Sequence, residues 1–316
     1  MTDWNSFVDG LKRQDEYSRL FFDKGNLSTK EKEEVTKTFA LSLHAEISDL
    51  VSSINLKNHR RESIPVDKTK ILYKSVDIYR YMMAILNLWE LKPEDFTDAC
   101  SDKDLFLHAR YRAQKRPAGK RVVIFDIDDV IAEFRSSFNA FLFDRYGIVS
   151  DPQDRQYYNT KEMNRLGLES ESAFNAFISS GGFRDLPVDP YVTGLMRTLK
   201  EQGYWIVLLT ARPASNLKCF YDTYHWVENF QIPHDAIAFS PEKYLWLTGQ
   251  EFFGDIVCAV DDSSKHASEY AKHGIKTIVP AKSYNEDVGG LQNLTRLQFT
   301  EDSVGEVLRL IDSFSK

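Results

Sequence analysis

Hydrophobic and polar positions follow two different periods along the 316-residue chain. Up to about residue 112 the period is helical. Apolar side chains recur three and four apart at Phe39, Leu43, Ile47, Leu50, Val51 and Ile54, behind Ser28 and Glu31, whose spacing makes a capping box. A second helical segment runs from about Lys70 to Leu91, carrying Tyr73, Val76, Tyr81, Ile85 and Leu88, and Pro93 is expected to end it. The flanking stretches 4–22 and 94–112 have the same character, so residues 1–112 are expected to form an all-α helical bundle.

The basic stretch RAQKRPAGKR (112–121) has no apolar period and reads as a linker over 113–120. Past it, short β-branched runs alternate with helical stretches: VVIF (122–125), WIVLL (205–209), AIAF (236–239), IVCAV (256–260) and KTIVP (276–280). This alternation predicts an α/β domain over 121–316, a doubly wound parallel sheet with helices on both faces. In such sheets chemistry sits at the carboxyl edge of the strands.

Charge separates the same two parts, since the first 120 residues carry 21 basic and 19 acidic side chains and the remainder 19 and 28. The basic linker is read as a solvated connection, not a nucleic-acid contact. A content of 42% hydrophobic residues with 21 Phe and 15 Tyr excludes a disordered chain. Apolar runs are too short to cross a bilayer and the start MTDWNSFVDG lacks a basic stretch followed by an apolar one, so a cytoplasmic protein with no membrane partner is expected. Three widely spaced cysteines make neither a disulfide framework nor a zinc site.

The expected strand ends carry the candidate chemistry. After the first strand comes Asp126-Ile127-Asp128-Asp129, whose paired carboxylates repel unless a cation or proton lies between them. Asp129 reads as an exposed turn residue with no role. The second strand leads to Thr210-Ala211-Arg212-Pro213, a hydroxyl and backbone N–H groups suited to a phosphate oxygen. Strand AIAF is followed by Ser240-Pro241-Glu242-Lys243, read as an N-cap serine, a proline at the first helical position and a lysine in the first turn. The fourth strand ends in Asp261-Asp262, after which Ser263-Ser264 open a helix that Gly274 stops.

Acid pair, hydroxyl, lysine and acid pair, in that order over roughly 121–316, resemble the haloacid-dehalogenase-like (HAD-like) phosphohydrolases. The resemblance implies a Mg²⁺-dependent phosphatase. Asp126 is then the nucleophile that carries the phosphoryl group, and Asp128 the acid that protonates the leaving alkoxide and next activates water. Thr210, Ala211 and Lys243 bind the phosphoryl oxygens. Mg²⁺ is held by Asp126, the carbonyl of Asp128 and Asp261, with Asp262 close behind.

Eighty-four residues separate Asp126 from Thr210, which implies an inserted helical cap over about 135–189, rich in rings such as Phe134, Phe138, Tyr157, Tyr158, Phe174, Phe177 and Phe183. The segments DIDDVIAEF and GGFRDLPVDPYVTGLMRTLKEQGYWIVLLTARP resemble the 5′(3′)-deoxyribonucleotidase branch. That likeness implies a nucleoside monophosphate substrate with Phe134 and Phe183 as base contacts, beside the alternative that these rings are cap core.

In the first part, Glu46 and Asp49 share one helix face away from the apolar stripe, and Asp77 lies in an apolar neighbourhood on the next helix. Facing acidic helices form a typical Mg²⁺ site. The segments ALSLHAEISDLVSSINLKNHR and ILYKSVDIYRYMMAILNLWEL resemble the all-α nucleoside-triphosphate pyrophosphohydrolases, the group of the MazG proteins and dimeric dUTPases. The resemblance implies Glu46, Asp49 and Asp77 as Mg²⁺ ligands, a nucleotide as ligand and a homodimer through these helices. Lys74 stands where that family has Glu. Two readings of the whole follow: a bifunctional enzyme that hydrolyses triphosphates and then monophosphates, or a phosphatase with an inactive binding or dimerising module. A phosphatase acting on nucleic-acid ends is a third.

Overall fold

In the computed structural model, residues 4–18, 27–54, 66–113, 119–149, 160–288 and 290–314 are described. They fall into two units, 1–101 and 102–316. The linker expected at 113–120 lies largely outside the described residues, as do Tyr157 and Tyr158 of the expected cap.

The first unit holds α1 (Trp4–Ser18), α2 (Thr29–Val51), α3 (Lys68–Leu88) and the start of α4 (Pro93–Ala113). Ser28 opens α2 through a reciprocal cap, accepting from Glu31 N at 3.4 Å while its own N–H donates to Glu31 Oε2 at 2.8 Å. Two expected helix ends differ. Ile54 lies past the end of α2. α3 stops at Leu88, where Trp89 caps it and Glu90 takes a positive φ of 57°, so Pro93 opens α4 instead of closing α3. α3 packs against α1 and α2 and buries Met83, Ala84 and Leu88, whereas no residue of α2 is fully buried.

In the second unit, β1 (Val122–Phe125), β2 (Trp205–Thr210), β3 (Ala236–Phe239), β4 (Ile256–Val260), β5 (Thr277–Pro280) and β6 (Leu294–Leu297) form one parallel sheet, ordered β3-β2-β1-β4-β5-β6. Every residue of β1 and β2 is buried, because both sheet faces are covered. Alternation along the strands divides the core: Val123, Phe125, Ile206 and Leu208 face one apolar cluster, and Val122, Ile124, Val207 and Leu209 face the other. The first cluster draws on α5 (Phe134–Tyr146), α7 (Ser170–Ser179), α8 (Pro190–Glu201), α9 (Leu217–Asn229) and α12 (Val304–Phe314), and the second on α10 (Lys243–Thr248) and α11 (Ser264–Lys272). A short α6 (Thr160–Arg165) completes the inserted segment between β1 and β2.

Two local expectations are corrected. α10 begins at Lys243 with Glu242 before it, so Ser240 is not its N-cap. The Ser240 hydroxyl instead accepts from Glu242 N at 3.2 Å, tightening the turn that leads from β3. β6 was not expected, and it pairs with β5 from Leu294 opposite Thr277 to Leu297 opposite Pro280. Among the described residues, no helix is long and apolar enough to cross a membrane.

Candidate active site

β1 lies at the centre of the sheet, between β2 and β4. The register that sets Phe125 opposite both Leu208 and Val260 brings the ends of these three strands to one edge. Asp126 continues β1 there, its N–H donating to Val260 O at 2.8 Å. Its Oδ1 accepts from Ile127 N at 2.7 Å and lies 2.7 Å from Lys243 Nζ. The same ammonium reaches Asp261 Oδ2 at 2.8 Å, and Asp261 Oδ1 accepts from Ser263 N at 3.0 Å. Lys243 is thus fully buried between two buried carboxylates, and it projects from the first residue of α10 as the turn after β3 delivers it.

Asp262 lies behind this pair. Tyr284 Oη donates to its Oδ2 at 2.5 Å and Asn285 Nδ2 to its carbonyl at 2.9 Å, while the buried Oδ1 makes no hydrogen bond among the described residues. Oxygen atoms of Asp126, Asp261 and Asp262 all come within 4.8 Å of one another. Burial pushes the Asp126 carboxyl up to about 7 against the pull of Lys243, with the charges of Asp261 and Asp128 adding to the rise. Burial likewise raises Asp262 well above the carboxylate range, helped by the neighbouring Asp126, Asp129 and Asp261. For Lys243, burial works against the ammonium, but the charges of Asp126 and Asp261 outweigh it and raise its pKa.

Thr210 ends β2 fully buried, its Oγ1 accepting from Arg212 N at 3.2 Å, and the exposed Ala211 follows it. Arg212 received no role from the sequence, although it lies inside a motif singled out there. It is buried and grips Asp128, with Nη2 at 2.7 Å from Oδ1 and Nε at 3.0 Å from Oδ2. The side chain expected to exchange protons with the leaving group is therefore held in a bidentate ion pair.

Asp129 is not the exposed turn residue expected. It is buried at a positive φ of 56°, its N–H donating to Ala132 O at 2.7 Å and its Oδ1 accepting from Arg135 N at 2.8 Å. Burial raises its carboxyl to about 6, opposed by that hydrogen bond. The turn folds the chain back under α5, which a local reading of D-D-V cannot anticipate.

A cavity of about 530 Å³ opens beside Asp128, Ala211 and Arg212, and its far wall includes Phe134, Phe138, Phe174 and Phe183. Phe134 and Phe183 are stacked in parallel, centroids 5.4 Å apart, and only 4% and 1% exposed. They belong to the cap core and line the cavity at the same time.

The first unit's candidates also meet. Lys74 Nζ lies 2.8 Å from Glu46 Oε2, 3.1 Å from Asp49 Oδ2 and 3.9 Å from Asp77 Oδ2. The hydrogen bonds that it donates to Glu46 and then to Asp49 raise the lysine's pKa.

No family model and no curated protein matches the chain. Solved structures do resemble it. CbbY from Rhodobacter sphaeroides in complex with phosphate is 18% identical, covering 61% of this chain and 99% of its own, with a TM-score of 0.39. A HAD family hydrolase from Deinococcus radiodurans R1 with bound phosphate and sodium is 12% identical, covering 62% and 98%, with a TM-score of 0.43. A predicted phosphatase from Clostridium acetobutylicum is 15% identical, covering 60% and 99%, with a TM-score of 0.42.

Proposed function

We propose that the second unit is a Mg²⁺-dependent phosphatase that acts on nucleoside monophosphates through an aspartyl-phosphate. One observation carries the reading: Asp126, Lys243 and Asp261 converge at the carboxyl edge of β1, β3 and β4, within 2.8 Å contacts of a single ammonium. Three buried carboxylates with one neutralising lysine, and an Asp262 oxygen without a hydrogen bond, suit a hard divalent cation that prefers oxygen ligands. Asp126, the carbonyl of Asp128, Asp261 and Asp262 would hold Mg²⁺, which when bound neutralises negative charge on the phosphoryl oxygens.

The chain's own groups supply the steps. Asp126 forms a bond to phosphorus as the bond to the ester oxygen breaks, and Asp128, which when protonated accepts from Arg212 through one oxygen only, gives the leaving oxygen the proton it carries on the other. Asp128 then takes a proton from water, whose oxygen attacks phosphorus and releases inorganic phosphate from Asp126. Thr210 and the N–H of Ala211 bind the phosphoryl oxygens, and Lys243 holds Asp126 and Asp261 in place while contributing positive charge. The aromatic wall beside Asp128, together with the sequence resemblance to deoxyribonucleotidases, supports a substrate that carries a base.

For the first unit we propose a nucleotide-handling module that self-associates. Leu72 and Tyr73 lie four and three residues before Val76 on α3 and all three are exposed, which supports a homodimer through these helices. Hydrolysis of triphosphates there requires a divalent ion among Glu46, Asp49 and Asp77.

The test is a phosphate-release panel over nucleoside mono- and triphosphates and phosphorylated oligonucleotide ends with Mg²⁺, comparing the native chain with Asp126→Asn. Release from monophosphates that the variant abolishes supports the reading. No release from any monophosphate overturns it, and release from oligonucleotide ends alone moves the substrate to nucleic acid.

A further inference from the structure

We infer that Lys74 is the resident cation of the first unit's acidic cluster, so that Glu46, Asp49 and Asp77 do not form a divalent-metal site and the cavity beside them works without metal. The inference is independent of the phosphatase reading, because it concerns other residues on other elements.

Geometry carries it. The Lys74 ammonium donates to Glu46 Oε2 at 2.8 Å and lies 3.1 Å from Asp49 Oδ2, so it occupies the space on which the carboxylates of α2 converge. Asp77, one turn further along α3 than Lys74, completes the ring at 3.9 Å. Mg²⁺ needs its oxygens at about 2.0–2.1 Å in a near-octahedral shell. An ammonium tethered to the same helix as one ligand competes for those very oxygens, and a metal entering beside it meets a full positive charge. The carboxylates are spread to suit the lysine: among the described residues, the one group of three whose ligand atoms all lie within 4.8 Å of each other is Asp126, Asp261 and Asp262.

The consequence concerns the cavity of about 500 Å³ that Glu46 and Asp77 share with Arg80, Tyr81 and Phe39. With no divalent ion to bridge them, the three carboxylates and the two cations Lys74 and Arg80 leave the cavity with a residual negative charge and no metal on which to seat a polyphosphate. The unit therefore does not hydrolyse triphosphates by the metal-dependent route that the acidic helices suggested, and what it binds, it binds equally well in the presence of a chelator.

Counting bound Mn²⁺ on the full chain, by electron paramagnetic resonance and calorimetry, tests this. The native chain is expected to give a stoichiometry that Glu46→Gln leaves unchanged. Lys74→Glu, which replaces the ammonium with a fourth carboxylate, is expected to add one Mn²⁺ per chain, and that site is expected to disappear when Glu46→Gln is combined with it. Lys74→Met, which only removes the cation, is expected to tighten the weak residual binding at least tenfold and guards against misfolding of the first variant. A native chain whose Mn²⁺ count falls with Glu46→Gln overturns the inference. So does failure of both Lys74 variants to gain binding while their circular dichroism matches that of the native chain. Loss or retention of the metal at Asp126 and Asp261 shifts all these counts together and is read separately through Asp262→Asn.

Discussion

Arg212 closes on Asp128 through two nitrogens, at 2.7 and 3.0 Å, while its Cζ lies 4.4 Å over the ring of Phe183 and its Nη1 donates to Thr223 Oγ1 at 3.0 Å. One buried guanidinium thus ties the carboxylate proposed to transfer protons to the wall of the aromatic cavity. A planar fork held this way fixes the orientation of Asp128, and lysine cannot reproduce it.

Arg212→Lys is expected to lower kcat by about 10- to 100-fold, less than the roughly 10²- to 10⁴-fold that an acid–base group contributes, because Asp128 is retained and only misplaced. Thr210 and Lys243 are left in place, so the inhibition constant of inorganic phosphate as a competitive inhibitor is expected to move little. Steady-state kinetics with nucleoside monophosphates, read against that inhibition constant, checks it. A large rise in the inhibition constant with kcat intact would mean that Arg212 binds phosphate and does not position Asp128.

Lys243 is only 1% exposed and neutralises two carboxylates that are themselves buried. Removing one member of such a group leaves an uncompensated buried charge, a loss of about 3–5 kcal/mol. Lys243→Met is therefore expected to be markedly less stable in urea unfolding, as well as inactive. Millimolar Mg²⁺ is expected to restore part of that stability, since it supplies the missing positive charge. Stability equal to the native chain in a chelator would show that the two aspartates carry protons instead.

The raised pKa of Asp126 fixes a sign for pH dependence. Its ordinary value is 3.8 and burial lifts it to about 7, so between these limits the folded chain keeps a proton that the unfolded chain has released. Stability contributed by this group accordingly falls as pH rises through that window. Cation binding requires the ionised form, so the rise in Tm produced by Mg²⁺ is expected to be several degrees larger at pH 7.5 than at pH 5.5. Thermal unfolding in chelator and in Mg²⁺ at the two pH values measures it, and an equal increment at both excludes Asp126 as a ligand.

The strands that were legible in the sequence were those written as unbroken apolar runs, from the fully buried β1 and β2 to the half-buried edge strand β3 with its AIAF. β6 escaped because its four residues, LTRL, are no such run: Thr295 and the exposed Arg296 interrupt it, and Asn293 before it takes a positive φ of 70°. The site was legible for the residues that end strands, since strand direction alone sends Asp126, Thr210 and Asp261 to one edge. Arg212 and Asp129 depend on the groups that meet them across 84 and 6 residues, a carboxylate and a backbone N–H, and local patterns hold no such information. Lys74 was visible as an anomaly on α3. That it points at Glu46 and Asp49 follows from the packing of α3 on α2, which periodicity does not specify.

The cap offers a way to test the aromatic cavity through KM, apart from the kcat that Arg212 and Asp128 govern. A Cβ on Gly182 would lie 2.4 Å from the ring of Phe177, a ring whose centroid is 5.4 Å from that of Phe183 and 5.9 Å from that of Phe134. Gly182→Ala must push Phe177 into this cluster or move the turn that carries Phe183, and overpacking of this kind costs about 1–3 kcal/mol. None of Asp126, Thr210, Lys243 or Asp261 belongs to the displaced cluster. If the rings hold a base, the variant is expected to raise KM several-fold for nucleoside monophosphates and to leave KM for a ring-free ester such as glycerol phosphate nearly unchanged, at temperatures well below its Tm. An equal change for both substrates would reduce Phe134 and Phe183 to packing of the cap and leave the phosphoryl-transfer residues without a base-recognising partner.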